Sequence, residues 1–115
     1  MASTVQAQVL IEAKDTPTVQ TTDYTSTNVV TVFDKHTVTN TTGSAITYSV
    51  NLVPNAGSAG PTNLIIDGRS ILPGETYPCP EIVGQILNAG DFLSHIASAT
   101  GLTVRSSGRI ISTTS

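Results

Sequence analysis

The chain has 115 residues, of which 38% are hydrophobic and 11% charged, and its net charge is -3. This length suits one domain with a single core. The basic residues are scattered, so the chain lacks the basic stripe that nucleic-acid binding needs. The longest apolar run, residues 9–11, is far too short to span a bilayer. We therefore expect neither a nucleic-acid nor a membrane partner.

Polarity in this chain comes mainly from uncharged Thr, Ser, Asn and Gln. Such a composition suits strands whose outward faces are polar without being strongly hydrated. Faces of this kind lose little on desolvation and fit a protein packed against neighbours, although many monomeric β-sandwiches are equally rich in Thr. Cys79 stands alone, which excludes an intrachain disulfide and indicates a reducing place of synthesis. No basic, apolar leader of the signal-peptide type is expected at the start.

The first 27 residues differ from the rest. Residues 6–14 are typical of an extended segment, whereas residues 15–27 contain Pro17 and almost no large aliphatic side chain. We predict an extended N-terminal arm over residues 1–27 and a β-sandwich domain over residues 28–115. An edge strand followed by a surface loop, or terminal disorder, is the alternative. The candidate contacts with a neighbouring subunit are Val5, Val9, Leu10, Ile11, Val19 and Tyr24.

Residues 28–54 carry dense strand signals. The segments 29–33 and 36–40 form one strand or a broken one, and the change of alternation at Asp34 and Lys35 predicts a β-bulge. After a turn at residues 40–44, apolar residues occupy every second position from Ile46 to Leu52, which predicts a half-buried strand. Together these strands predict a hairpin.

The remainder alternates short strands with turns. We predict extended pieces at 64–66 and 70–72 joined by an Asp-Gly turn, an edge or crossing segment at 77–80, and strands at 82–87, 92–98 and 102–111. In the last strand every second residue from Leu102 to Ile110 shares one face. A helix within 81–99 is a weak rival, because Gly84, Asn88 and Gly90 interrupt it. The pattern indicates an all-β, antiparallel β-sandwich of jelly-roll or immunoglobulin-like type.

Residues able to carry out chemistry are few. Asp34 and His36 would share a face on a regular strand and could hold an ion weakly, but a polar pair that is exposed or lies in an interface is the better interpretation. Ser94 and His95 are adjacent, so they point to opposite faces of a strand and cannot act together. A buried, inert thiol is expected for Cys79. We predict no catalytic residue, no cofactor and no metal site, and therefore no enzyme.

The stretch from about residue 34 to residue 111 resembles a family of small β-sandwich proteins encoded among the virion genes of tailed bacteriophages. The resemblance lies in the order and spacing of six segments. These are residues 39–45, the alternating residues 46–52, the loop of small residues after Pro54, and residues 72–77, 87–92 and 102–108. The family usually carries an acidic residue after the last Ser-Gly, where this chain has Arg109. The resemblance implies a structural part of the virion, and it transfers no catalytic residue.

The functional hypothesis is a non-enzymatic bacteriophage virion protein, made in the host cytoplasm, that decorates or cements the capsid through contacts between subunits. Its expected partners are capsid or neck proteins and further copies of itself, with a trimer as the expected oligomer. The alternatives are a neck, collar or tail component, a receptor- or glycan-binding module using loops 54–63 and 73–81, and an adaptor outside the virion.

Overall fold

A computed structural model describes residues 2–114, which form nine strands and one short 3-10 turn, Pro61–Asn63. The strands are β1 (Ala2–Asp15), β2 (Thr21–Thr25), β3 (Val30–Asn40), β4 (Ile46–Val53), β5 (Leu64–Ile71), β6 (Thr76–Tyr77), β7 (Ile86–Leu87), β8 (Phe92–Ala97) and β9 (Leu102–Thr114). Within these residues, no helix has the length and apolarity to cross a bilayer.

The strands form two antiparallel sheets. The first sheet has the order β1-β9-β3-β6, with β7 also paired to β3, and the second has the order β2-β8-β4-β5. Buried aliphatic side chains from both sheets pack into one core. The predicted all-β, antiparallel β-sandwich is confirmed.

Alternation along the strands builds this core. Ile46, Tyr48 and Val50 of β4 are buried as predicted, as are Leu102 and Val104 of β9. The alternation of β4 changes after Val50, because Asn51 and Val53 are buried and Leu52 is half-buried. Phe33 and Tyr48 are the largest side chains that are fully buried, and most of the remaining volume is filled by Val, Ile and Leu.

The predicted extended N-terminal arm is not evident. Residues 2–15 are β1, which pairs with β9 from Ala2 opposite Thr114 to Asp15 opposite Thr103. Residues 21–25 are β2, which pairs with β8. A mostly polar, uncharged segment can form an edge strand because only one of its edges needs a partner. Ile11 lies in the core and Leu10 packs against it, which fixes β1 on the sandwich.

The predicted hairpin over residues 28–54 is wrong, although the bulge within it is confirmed. The strand β3 shifts register between Phe33 and Lys35, as the changed alternation indicated. However, β3 and β4 belong to different sheets. Both have an apolar face, and placing them in opposite sheets lets these faces bury each other. The Asn40 side chain secures the crossing by donating to the carbonyls of Ser44, at 2.7 Å, and Ile71, at 2.9 Å.

Three further boundaries differ from the sequence-based prediction. The predicted turn at Asp67 and Gly68 is an irregularity inside the continuous β5, where the Gly68 amide donates to Ser49 Oγ at 2.8 Å. The predicted strand at 82–87 is reduced to β7, and residues before it form turns rather than the rival helix. The expected edge at 77–80 is observed in part, since β6 pairs with the outer side of β3 before two prolines follow.

Candidate functional site

A chain of hydrogen bonds crosses the core and holds most of the ionisable side chains that are buried. Lys14 Nζ on β1 contacts Asp23 Oδ1 on β2 at 2.7 Å, and Asp23 Oδ2 contacts His95 Nε2 on β8. His95 Nδ1 lies 2.8 Å from the Tyr48 hydroxyl on β4, which lies 2.8 Å from His36 Nε2 on β3. We call these five residues the buried polar chain. Its Tyr48–His36 bond joins the second sheet to the first.

The bonding pattern assigns the protons in this chain. Ionised Asp23 can only accept, so His95 donates from Nε2, and with His95 neutral its Nδ1 accepts from the Tyr48 hydroxyl. The Tyr48 oxygen then accepts from His36 Nε2–H. His36 Nδ1 is left as a buried acceptor with no partner among the described residues. Both histidines are neutral in this pattern.

Electrostatics agree with neutral histidines. Burial, reinforced by the repulsion that a protonated His95 would exert, lowers the pKa of His36 to about 3. Burial also lowers the pKa of His95, outweighing the opposing effect of the Asp23 carboxylate. Burial alone would raise the pKa of Asp23, but hydrogen bonds from Lys14 and His95 bring it below its ordinary value. Burial raises the pKa of Tyr48 well above its usual range, so the phenol stays protonated.

An Asp-His-Tyr arrangement can in principle relay protons, but here its reactive atoms are enclosed. Tyr48, His36 and His95 have no exposed surface, and the chain reaches solvent only through Asp23 and Lys14. A general acid or base must approach the proton it transfers within hydrogen-bond distance. No substrate can approach these three side chains in this conformation, so the arrangement acts as a structural bridge between the sheets.

Sequence reasoning did not identify this chain, and little in the sequence could have. Asp23 and His95 are 72 positions apart, and no motif links them. The only local signal was the alternation that placed Tyr48 in the core, which is confirmed. The partner of a buried hydroxyl depends on how the two sheets meet, and strand periodicity does not specify that.

The structure separates the residue pairs weighed from sequence. The β3 bulge leaves Asp34 exposed and His36 buried, so these two do not share a face. Asp34 instead binds the Arg109 guanidinium through three contacts of 3.0–3.3 Å. Ser94 accepts from Gln20 Nε2 at 2.8 Å, whereas His95 lies in the polar chain. Cys79 is buried, and burial together with the negative charge of Glu81 raises its thiol pKa to about 12.

The outer face of the first sheet carries an exposed apolar strip. Direct cross-strand pairing places Val5 beside Ile111 and Ile111 beside Val30. Residues directly opposite each other share one face of a sheet. A second row runs through Ala7, Arg109, Val32 and Ile86. Val5 is 59% exposed, Ile86 is 57% exposed and Ala7 is also exposed. The remaining aliphatic side chains of the two rows, Val30, Val32 and Ile111, are half-buried. We call the set Val5, Val30, Val32, Ile86 and Ile111 the outer apolar face.

The predicted interface residues fall into two groups. Val5, Val9 and Val19 are exposed, and Val5 and Val9 lie on β1. The other three are held by the fold. Ile11 belongs to the core, Leu10 packs against it, and the half-buried Tyr24 donates to or accepts from Thr31 Oγ1 at 2.7 Å. Sequence alone did not point to the outer apolar face, because its members come from four separate strands.

Loop 54–63, named for the receptor-binding alternative, borders a cleft of about 450 Å³. Its lining includes Gln20, Asn51 and Pro61. The Asn51 amide donates to the Gly60 carbonyl at 3.0 Å and to Asn63 Oδ1 at 2.8 Å. Gln20 Nε2 lies 3.3 Å from Asn51 Oδ1. These polar groups hold the loop to β4.

The chain was compared with known proteins. No protein-family model matches it, and no curated protein matches it. Among solved structures it is similar to a chain from a structure of infectious bursal disease virus Gx strain, with a TM-score of 0.42 and 14% sequence identity. The match covers 95% of this chain and 31% of that chain, so this chain spans about a third of the length of the protein it matches.

Proposed function

We propose that this protein is a non-enzymatic structural component of a bacteriophage particle, where it decorates or cements the capsid by contacts between subunits. It would be made in the host cytoplasm and reside in the virion. The observation that carries this proposal is the outer apolar face. Exposed, contiguous apolar side chains on a sheet mark a surface that another protein covers.

Three features support an assembly role. The aliphatic strip runs across β1, β9, β3 and β7, so it is a face rather than one exposed side chain. The one charged side chain within its two rows, Arg109, is neutralised by Asp34 of the same chain. Covering this face would therefore leave no unpaired charge buried. The sequence resemblance to phage virion sandwiches, which spans residues 34–111, points to the particle as the place of assembly.

The contact geometry proposed here differs from an arm reaching across a neighbour. Because β1 is already paired with β9, its exposed Val5 belongs to the outer face of the sheet instead of to a separate tether. The protein would sit on the capsid through this sheet. Repetition by capsid symmetry would convert weak single contacts into stable occupancy.

Particle occupancy tests the proposal. Ile86→Asp places a charge at the β7 end of the outer apolar face, and we expect the occupancy of this variant on purified particles to fall at least tenfold. Leu72→Asp is the matched control, because Leu72 is 59% exposed but lies at the end of the second sheet, and it should bind like the wild type. Absence of the wild-type protein from purified particles would contradict the proposal, as would equal occupancy of both variants.

The same experiment separates the alternatives. Protein found only on isolated necks, collars or tails would place it there instead of on the capsid shell. Binding of the purified protein to host cells or glycans, lost on changing loop 54–63 and retained in Ile86→Asp, would favour the receptor-binding module. The cleft beside that loop is the feature such a ligand would use.

A further inference from the structure

The two sheets have four edges, and three of them carry features that oppose pairing with another strand. The edge strand β2 has only five residues and a register shift around Asp23. The edge strand β5 presents Asp67 and Arg69 beside an irregularity. The far edge of the first sheet consists of β6 and β7, with two residues each and Pro78 directly after β6. Short strands, charges, bulges and prolines are the usual protection of sheet edges.

The fourth edge, the start of β1, lacks every one of these features. Residues 2–9 pair with β9 in unbroken register, and the register shifts of β1 come only after Val9. The segment contains no charged residue and no proline. Its side chains from Ser3 to Ala7 are exposed, and in the described part of the chain no strand pairs with its other edge. This edge is open to β-augmentation.

A second copy of the same edge is the partner that fits it best. Two identical strands can pair antiparallel about a two-fold axis, and an uncharged segment does so without like charges meeting. With Ala7 on the axis, Val5 of each copy lies opposite Val9 of the other. The other face of the ribbon then pairs Gln6 with Gln8. This register leaves polar opposite polar and apolar opposite apolar.

The same arrangement extends the outer apolar face. The row through Ile111 and Val5 continues into Val9 of the second copy, and the row through Val32 and Arg109 continues across the two Ala7 residues. The Arg109 side chains on either side of the axis are each bound to their own Asp34, so they do not oppose the contact through net charge.

We infer that residues 5–9 of β1 pair antiparallel with the same residues of a second copy, joining the first sheets of two protomers into one continuous sheet. The inference rests on the proposed function for its use, since a dimer with a doubled apolar face would bridge two neighbouring capsid sites. A single strand pair is smaller than the ~800 Å² per partner of a typical stable complex, so the isolated dimer is weak and forms at high concentration.

Sedimentation of the purified full-length protein from about 10 µM to about 1 mM tests the pairing. The wild type should pass from monomer to dimer in this range. Ala7→Lys sets two ammonium groups opposite each other on the axis and should raise the dissociation constant about fivefold or more. Val19→Lys is the matched control, because Val19 is 67% exposed and lies outside β1, and its dimer should be unchanged.

Cross-linking tests the register. Directly opposite residues in an antiparallel pair have Cα atoms about 4.5–5.5 Å apart, a distance that a disulfide spans. Ala7→Cys should therefore form a covalent dimer on mild oxidation, whereas Thr22→Cys, exposed on β2, should not. Cys79 is buried and adds no background. Circular dichroism of each variant shows that it retains the β fold.

A wild type that stays monomeric at about 1 mM, a trimer whose affinity is unaffected by Ala7→Lys, or equal cross-linking of both cysteine variants would overturn the inference. A different result would contradict the proposed function alone: the purified protein would dimerise through β1 but would be absent from purified particles.

Discussion

Tyr48→Phe removes a single oxygen atom from the centre of the core. The hydroxyl joins His95 Nδ1 and His36 Nε2, each at 2.8 Å, and all three side chains are fully buried. The variant leaves one buried acceptor and one buried donor without partners. Each unsatisfied buried group costs about 1–3 kcal/mol, so the free energy of unfolding should fall by about 2–6 kcal/mol. Equilibrium unfolding in urea measures this loss.

The matched control is Tyr24→Phe, the same substitution at a half-buried position. Its hydroxyl contacts Thr31 Oγ1 at 2.7 Å, and in the variant Thr31 Oγ1 keeps its contact with Ser26 Oγ at 2.8 Å. We expect a loss of about 1 kcal/mol. If Tyr48→Phe is no more destabilising than Tyr24→Phe, the buried polar chain does not hold the sheets together as argued.

The remaining predictions concern pH and backbone approach. Because burial lowers the pKa of His36 to about 3 while the unfolded value is about 6.5, the unfolded chain binds the extra proton between these pH values. The contribution of His36 to the free energy of unfolding is therefore fully present above about pH 6.5 and is reduced by about 2 kcal/mol at pH 5. Urea midpoints at several pH values measure how steeply stability falls with decreasing pH, and His36→Gln should make that dependence weaker. A Cβ at Gly108 would lie 2.0 Å from the Val32 carbonyl oxygen, so Gly108→Ala should cost about 3 kcal/mol or more. Gly43→Ala, with nothing within 4 Å of its Cβ, should change stability by less than about 0.5 kcal/mol, and similar losses in both variants would contradict this packing argument.

Strand periodicity predicted the fold class and most of the strands, but it did not predict which strands pair. The alternation of residues 46–50 places the same side chains inward whether β4 pairs with β3 or faces it from the opposite sheet. The predicted hairpin was therefore wrong although both of its strands exist. The predicted N-terminal arm is not evident for a related reason. An edge strand needs few apolar residues, and the partner of this segment, β9, lies about a hundred positions away in the sequence.

The candidate surface was less predictable than the core. Val5 and Val9 were identified as contact residues, and both are exposed. The outer apolar face, to which Val5 belongs, also needs Val30, Ile86 and Ile111, which come from three other strands. Whether such residues point outward depends on strand register, and the β3 bulge reverses the alternation within a single strand. The local alternation predicted the bulge, but it does not report which residues of four separate strands come together on one face.

The buried polar chain and the exposed face are connected through the geometry of the sandwich. Aliphatic side chains pack in many arrangements of similar energy, so a core of Val, Ile and Leu constrains the relative position of two sheets only loosely. A buried hydrogen bond requires one distance and direction and strengthens in a low-dielectric interior. The Tyr48–His36 bond spans the two sheets, and the Lys14–Asp23 contact joins β1 of the first sheet to β2 of the second. The buried Tyr48–His36 bond therefore fixes β3, which carries part of the outer apolar face, relative to the second sheet. The Lys14–Asp23 contact adds less at β1, because its lysine is 45% exposed. Tyr48→Phe keeps the apolar volume of the core nearly unchanged and removes only the directional hydrogen bonds. The variant therefore tests whether hydrogen bonding or packing fixes the two sheets in one relative position.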